Sequence, residues 1–405
     1  MRLRRMAAVL LALLMTLSGC WSRRELTEVS FAGLMGVDWA EGQYLITLNI
    51  WLPGRQGGER GGGGTPGHKV MTVTERGPSP DGALAKLDQV LPRSLTLAHV
   101  RAVIFGEEMA RKGIGPVMDF LLRSVEIRPN AFVGIASGSA FELLGARPRQ
   151  DIPAAGPLGY HDAALRRSSV TPIRRVAETA NTLQEEGIDL TLPLFRRGNQ
   201  PPPKPPDVYD EGALRESEGN ADEIVFGGAG VFRGDKLVGW LTPDETRGTL
   251  WGTDQMGHGA ISAECPKPEP DNRIIYRLRK GQGKADVELV GGKPRGVIRV
   301  NVVADVNDVT CTDTMIRDGD IRSLIRVLDS RVRANVDRAV GVMRETGADI
   351  FGFGQNLFRA DPAAFLARED QWSDIVREMP VTVQIDARVS RLGQLNVKYR
   401  WKRAE

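Results

Sequence analysis

Cysteine is close to absent from this chain: Cys20, Cys265 and Cys311 are the only three in 405 residues. So few exclude a disulfide-stapled scaffold, and no two of them form a CxxC metal or redox pair. Histidine is as scarce. His68, His99, His161 and His258 stand apart, with no HExxH pair and no acid at ligand spacing. A structural or solvent role is expected for each, and no metal site is assigned. An excess of one charge is lacking too. The formal charge is +3, and Arg2, Arg4 and Arg5 near the N-terminus account for all of it. A body without a basic excess is not expected to bind nucleic acid. Beyond the first 17 residues no apolar run approaches the roughly 20 residues that a spanning helix needs.

The motifs of catalysis are missing as well. Gly134-Ile135-Ala136-Ser137-Gly138 misplaces the serine of a nucleophile elbow. Gly228-Ala229-Gly230 and Gly352-Phe353-Gly354 lack the third glycine of a dinucleotide fingerprint and read as strand or turn positions. Asp305-Val306-Asn307-Asp308 begins like a calcium loop but lacks the later acid and the sixth-position glycine. No catalytic residue and no cofactor is assigned from these patterns; carboxylates are abundant, but nothing in their spacing singles out a pair.

What is present begins at the N-terminus. The three arginines precede an apolar run at 6–17, too short to span a membrane and of the right length for the core of an export signal. Leu17-Ser18-Gly19-Cys20 then fits a bacterial lipobox, in which small residues precede a cysteine that is lipidated and becomes the new N-terminus. Residues 1–19 are accordingly read as a lipoprotein signal peptide and Cys20 as the lipidation site. Cys265 and Cys311 remain. An exported compartment would permit a bridge, but two buried free thiols are the expectation.

Residues 29–38 and 43–52 are predicted as strands joined by a turn at 39–42, with Tyr44, Ile46, Leu48, Ile50 and Leu52 on one face. Eight glycines crowd 54–67; no Gly-Lys-Ser/Thr follows, so this is read as a surface loop and not a phosphate cradle. A strand at 69–74 leads to a helix capped by Ser79 and opened by Pro80, with Ala83, Leu84, Leu87, Val90 and Leu91 as its buried stripe. A strand at 100–105, a helix at 107–123 interrupted at 113–116, a strand at 131–136 and a short helix through Phe141 and Leu144 complete a compact α/β unit over about 69–145. After a loop at 148–159, Thr171 is expected to cap and Pro172 to open a helix reaching Glu186, followed by a strand at 188–195. Five prolines within 201–206 mark 198–221 as a linker or long loop.

Further on, strands at 223–232 and 236–241 form a hairpin, and the capping box from Thr242 to Glu245 starts a short helix toward Trp251. Strands are predicted at 258–264, 272–280, 285–290 and 296–306. A long amphipathic helix at 319–346 follows, its stripe made by Ile321, Leu324, Ile325, Leu328, Val332, Val336 and Ala339. Asp361 caps and Pro362 opens another helix, and 381–389 with 395–399 form a closing hairpin. The fold class is mixed α/β (α+β) in several domains, with helices covering sheets. The divisions expected are an N-terminal α/β region at 20–197, the linker at 198–221 and a C-terminal α+β region at 222–400. The stretch 222–257 is assignable to either region.

Five segments share a pattern with a known family. They are Cys20-Trp21-Ser22-Arg23-Arg24-Glu25; the twelve residues from His99 to Ala110; Asp119-Phe120-Leu121-Leu122-Arg123 with Glu126-Ile127-Arg128-Pro129-Asn130; Gly230 to Leu241 followed by Glu245-Thr246-Arg247-Gly248; and Ala348-Asp349-Ile350-Phe351-Gly352-Phe353-Gly354. They resemble the CWDRRE, HLKVIIIGEELA, DFLLRDPEIRPN, AVFKDDKLVGWLDEEETRG and ADIFGFGE segments of Ger(x)C proteins, the lipoprotein subunits of nutrient germinant receptors in bacterial spores. Ser22 stands where Asp is usual, and Gln355 where Glu is. The resemblance implies a non-enzymatic subunit that acts in receptor assembly or signal coupling. Its partners would be a transporter-like membrane subunit and a larger membrane subunit. Its place would be the outer face of the spore inner membrane, held there by the lipid on Cys20. The alternative is an extracytoplasmic solute-binding lipoprotein that delivers a small ligand to a permease.

Overall fold

The computed structural model describes residues 28–51, 70–146, 169–205, 223–266, 272–311 and 320–392, together with Arg2 and Arg5. The lipobox with Cys20, the glycine-rich stretch 54–67, the loop 148–159, most of the proline-rich linker and the second strand of the closing hairpin lie outside those residues.

Two sheets form. The larger runs in the order β3-β2-β1-β5-β6-β7-β8-β9, with β4 pairing the start of β1. Its strands are β1 (Val29–Ala40), β2 (Gln43–Trp51), β3 (Val70–Gly77), β4 (Ser94–Thr96), β5 (Ala102–Phe105), β6 (Phe132–Ala136), β7 (Thr191–Arg197), β8 (Ile224–Arg233) and β9 (Lys236–Leu241). β1, β5, β6 and β7 are parallel to one another, and antiparallel hairpins extend this centre on both sides. Parallel strands need crossovers, and these supply helices for both faces. On one face lie α1 (Pro80–Val90), α2 (Glu107–Lys112), α3 (Gly115–Arg123) and α5 (Val176–Gln184); the other is covered by α4 (Ala140–Leu144). All four residues of β5 are therefore buried.

The smaller sheet has the order β10-β11-β12-β13, from β10 (Ala260–Glu264), β11 (Arg273–Val290), β12 (Lys293–Val309) and β13 (Val381–Leu392). The first three form an antiparallel meander, whereas β13 is parallel to β12. Its crossover holds α7 (Ile321–Thr346), α8 (Phe353–Ala360), α9 (Pro362–Leu366) and α10 (Trp372–Glu378). Leu324, Leu328, Val332, Val336 and Ala339 of α7 are all buried. Asp320 caps that helix, and Gly347 ends it in the left-handed conformation at φ 69°.

The stretch left open between the two halves is divided. Its hairpin, β8 and β9, completes the larger sheet, while α6 (Pro243–Gly252) packs with α7 over the smaller one. The core under α7 is continuous with Ala229 and Val231 of β8 and Leu241 of β9, so the two sheets share apolar interior.

Several local expectations are corrected. The helix expected from Pro172 begins at Val176, and Thr171 is not its cap. The Thr171 hydroxyl instead donates to the Gly228 carbonyl, and Val133 N donates to the Arg174 carbonyl. Pairing with neighbouring strands holds 170–175 extended, overriding the local Thr-Pro start signal. Two stripe positions at helix ends are solvated: Val90 is 63% and Ile321 49% exposed. The strands expected at 272–280 and 285–290 are one, β11, running through Gly281 and Gly283. A Cβ at either glycine would meet Trp251 of α6, so the glycines admit the helix onto the sheet and do not break the strand.

Cys265 and Cys311, expected as free thiols, form a disulfide with Cα atoms 5.7 Å apart. Glu264 pairs with Arg273 from one side of β11, and Thr310 N bonds the Arg273 carbonyl from the other. The two flanking strands thus end side by side over the start of β11. That adjacency depends on the register of three strands and is invisible at a sequence separation of 46.

Candidate functional site

The one site residue assigned from the sequence, Cys20, lies outside the described residues. The other family-like segments are described, and each proves to be a fastening point. In the HVRAVIFGEEMA stretch, Gly106 leaves room for Asp38, whose buried carboxylate accepts from Ala140 N and Phe141 N at 2.8 Å each. Burial pushes the Asp38 carboxyl above its ordinary range, against the pull of those two N–H groups. In the EIRPN stretch, Glu126 accepts from Leu97 N at 2.5 Å, and the Pro129 and Asn130 carbonyls accept from Ala177 N and Arg175 at the start of α5.

The Thr242 to Gly248 stretch, the cap and first turns of α6, is almost wholly buried where that helix packs with α7. Asp244 is 1% exposed, and its carboxylate meets Arg331 at 2.6 Å and Arg247 and Arg338 at 3.4 Å. Arg331 Nε also donates to Ser262 of β10, and Arg247 to Ser169 and Ala260. Burying charge this deeply requires such pairing. Gly248 sits where α6 crosses α7, and a Cβ there would collide with the Asn335 carbonyl oxygen.

The junction of the two sheets is made by the ADIFGFG stretch and the residues just before β7. Asp189 N donates to the Asp349 carbonyl at 2.9 Å, and Asp349 N donates back to the Asp189 carboxylate at 2.7 Å. The other Asp189 oxygen accepts from Gly234 N in the β8–β9 turn at 3.0 Å. In the same turn Asp235 accepts from Gly115 N at 3.1 Å, at the first residue of α3. Asp349 is itself buried and accepts from Phe353 N, Gly354 N and the Trp372 indole, at 3.0, 2.7 and 3.0 Å. Gly187 (φ 70°) and Gly354 allow close contact, sealed by Gln355 N donating to the Gly187 carbonyl at 2.7 Å. Gln355, the departure from the family pattern, pairs through its amide with Glu185.

Burial pushes the Asp349 carboxyl up to about 6, with the neighbouring Asp189 charge adding to the rise and the three donors opposing it. Asp189 is raised too, chiefly by burial. The arrangement is a titratable clasp. It holds no nucleophile beside a base, and among the described residues no three His, Cys, Asp or Glu side chains gather as a metal would require. In the sequence Asp349 is marked only as part of a motif and Asp189 not at all, because nothing local pairs residues 160 apart. The glycines around Asp349 were the available signal.

Comparison with known proteins agrees with this distribution of motifs. A family model described as "Spore germination protein N-terminal domain" matches residues 22–197, and one described as "Spore germination B3/GerAC like, C-terminal" matches 227–393. Spore germination protein KC of Bacillus subtilis is 24% identical over 98% of each chain, and the putative spore germination protein YfkR of that organism is 24% identical over 91% of each. The crystal structure of the GerBC protein superposes with a TM-score of 0.53 at 18% identity, covering 90% of this chain and 99% of that one, which establishes the mixed α/β fold in common. The second family model begins inside β8, a strand of the larger sheet, so the boundary between the two models and the boundary between the sheets differ.

Proposed function

The chain belongs to the GerAC-like family of spore germination proteins, and on that premise we propose that it is the lipid-anchored subunit of a nutrient germinant receptor. It acts without catalysis, by assembling with or relaying a signal between membrane-embedded subunits, a transporter-like one and a larger one. Its place is the extracytoplasmic face of the spore inner membrane. The observation that carries the reading is the pairing of the two family matches with an LSGC tetrapeptide just before the first of them. No helix among the described residues is long and apolar enough to cross a membrane, so the proposed attachment is the acyl group on Cys20. The eight residues between Cys20 and β1 span at most about 30 Å when fully extended, which keeps the body close to the bilayer. The division into a 20–197 region, a linker and a 222–400 region is retained as a proposal for how the chain is organised along its length.

Two experiments test this. In cells, Cys20→Ala should leave the folded body intact and release it from membranes; unchanged membrane retention would refute the anchor. In spores lacking the gene, dipicolinic acid release should be lost with nutrients and kept with a receptor-independent trigger. A normal response to every nutrient would remove the support for a receptor role.

A further inference from the structure

A cavity of about 460 Å³ lies between the chain leading into α5 and the C-terminal end of α6, so each sheet's helical cover supplies one wall. Its size is that of a small-molecule site. Ile173, Leu250 and Met256 give it an apolar side, and its charged lining is Arg174 and Arg175 with Glu178 and Asp254; Arg175 donates to the Asn130 carbonyl and lies over the Phe132 ring. The Arg174 guanidinium donates from Nε to the Thr191 carbonyl at 3.1 Å, from Nη1 to Gln255 Oε1 at 3.1 Å and from Nη2 to the Thr191 hydroxyl at 3.4 Å. All three acceptors are neutral. Glu178 lies near enough to be felt electrostatically, yet its carboxylate bonds Arg175 N. The guanidinium is part-buried and has no ion-pair partner among the described residues, and burial lowers the Arg174 pKa from its ordinary value. Each terminal nitrogen keeps one hydrogen beyond these bonds, available to a further acceptor such as a carboxylate.

The walls are also held in costly backbone. Only Glu41, Ser169 and Asp254 among the described non-glycine residues have positive φ, and two of them, Ser169 at 52° and Asp254 at 55°, line this cavity. Such conformations persist where surrounding structure enforces them, and they cluster at ligand sites. Asp254 is held by Gly283 N of β11, and Ser169 by the His258 carbonyl.

We infer that this cavity binds a small carboxylate, held by the Arg174 guanidinium with its aliphatic part against Ile173, Leu250 and Met256. A molecule bound there touches the covers of both sheets at once, so its binding tightens their contact. The inference does not depend on the lipid anchor or on the receptor assignment.

The test is titration calorimetry on the full lipidated chain in detergent. The probes are two- to six-carbon mono- and dicarboxylates, the amide of each, and inorganic phosphate. At least one carboxylate should bind with Kd below about 1 mM, and its amide should not. Arg174→Gln should weaken that binding at least about tenfold. Glu178→Gln keeps the acceptor that caps α5 but removes a negative charge beside the guanidinium. It should therefore tighten binding several-fold, a change of sign that a fault in folding would not give. The proposal is overturned if no carboxylate binds, if the amides or phosphate bind as well as the acids, or if Glu178→Gln weakens binding.

Discussion

The two sheets solve the same problem in different ways. The larger is covered by helices on both faces, and at its parallel centre the four-residue strand β5 is buried throughout. The smaller is covered by α6 and α7 on one face. Along β11 the buried residues Ile274, Tyr276 and Leu278 alternate with less buried ones, and most of that strand's side chains contribute no core. It compensates with length, 18 and 17 residues in β11 and β12, with a 26-residue helix, and with a covalent tie at one end. A one-sided sheet is expected to depend more on its individual fastenings than a two-sided one.

Breaking that tie should have the largest effect. Cys311→Ser opens a loop closed at a separation of 46 residues, worth about 4 kcal/mol by chain entropy. Thermal denaturation should show the loss confined to the smaller sheet, with hydrogen exchange rising in β10–β12 and not in β5 or β6. Equal exchange in both would remove the distinction. Next comes Gly248→Ala, which drives a methyl into the Asn335 carbonyl and the Ala339 side chain and should cost about 2–3 kcal/mol by lifting α6 from α7. A variant as stable as the parent would show that the helix crossing is not tight.

The clasp between the sheets is sharpened by pH. Asp349 titrates near 6 in the folded chain against an ordinary 3.8, so the folded state holds the extra proton between those values. Its contribution is therefore full below about pH 4 and is lost as pH rises through 6, by up to about 1.4 kcal/mol per unit. Parent minus Asp349→Asn stability should fall across that window, and a flat difference would contradict the buried, raised carboxyl. The smallest effect belongs to the larger sheet. Ser79→Ala removes the hydroxyl that accepts from Gly82 N at the start of α1 and should cost about 1 kcal/mol in chemical denaturation.

Legibility followed the range of the controlling interaction. The β1–β2 hairpin, the Ser79 and Thr242 caps, the break between α2 and α3 and the stripe of α7 beyond Ile321 are set by neighbours within a few residues, and stand where periodicity and capping place them. The start of α5 was missed because strand partners at Phe132, Val133 and Gly228 hold 170–175 extended. β11 was split in two because a glycine in a strand signals a break unless a helix such as α6 lies against it. Periodicity carries a stripe into the terminal turns of a helix, whereas Val90 at the end of α1 and Ile321 at the start of α7 are exposed. The clasp was half legible. Its motif stood out, but Asp189 carries no local mark.

By itself the sequence determined the class of fold, most of the described helices and strands, and the family, because caps, periodicity and motif runs are all local. Tertiary structure alone decided that Cys265 meets Cys311, that β8 and β9 close the larger sheet while α6 joins the smaller, and that Asp189 and Asp349 exchange hydrogen bonds. Each of these depends on registers and layer contacts between residues far apart in the chain, where a residue's partner is fixed by the packing of whole elements and not by its neighbours.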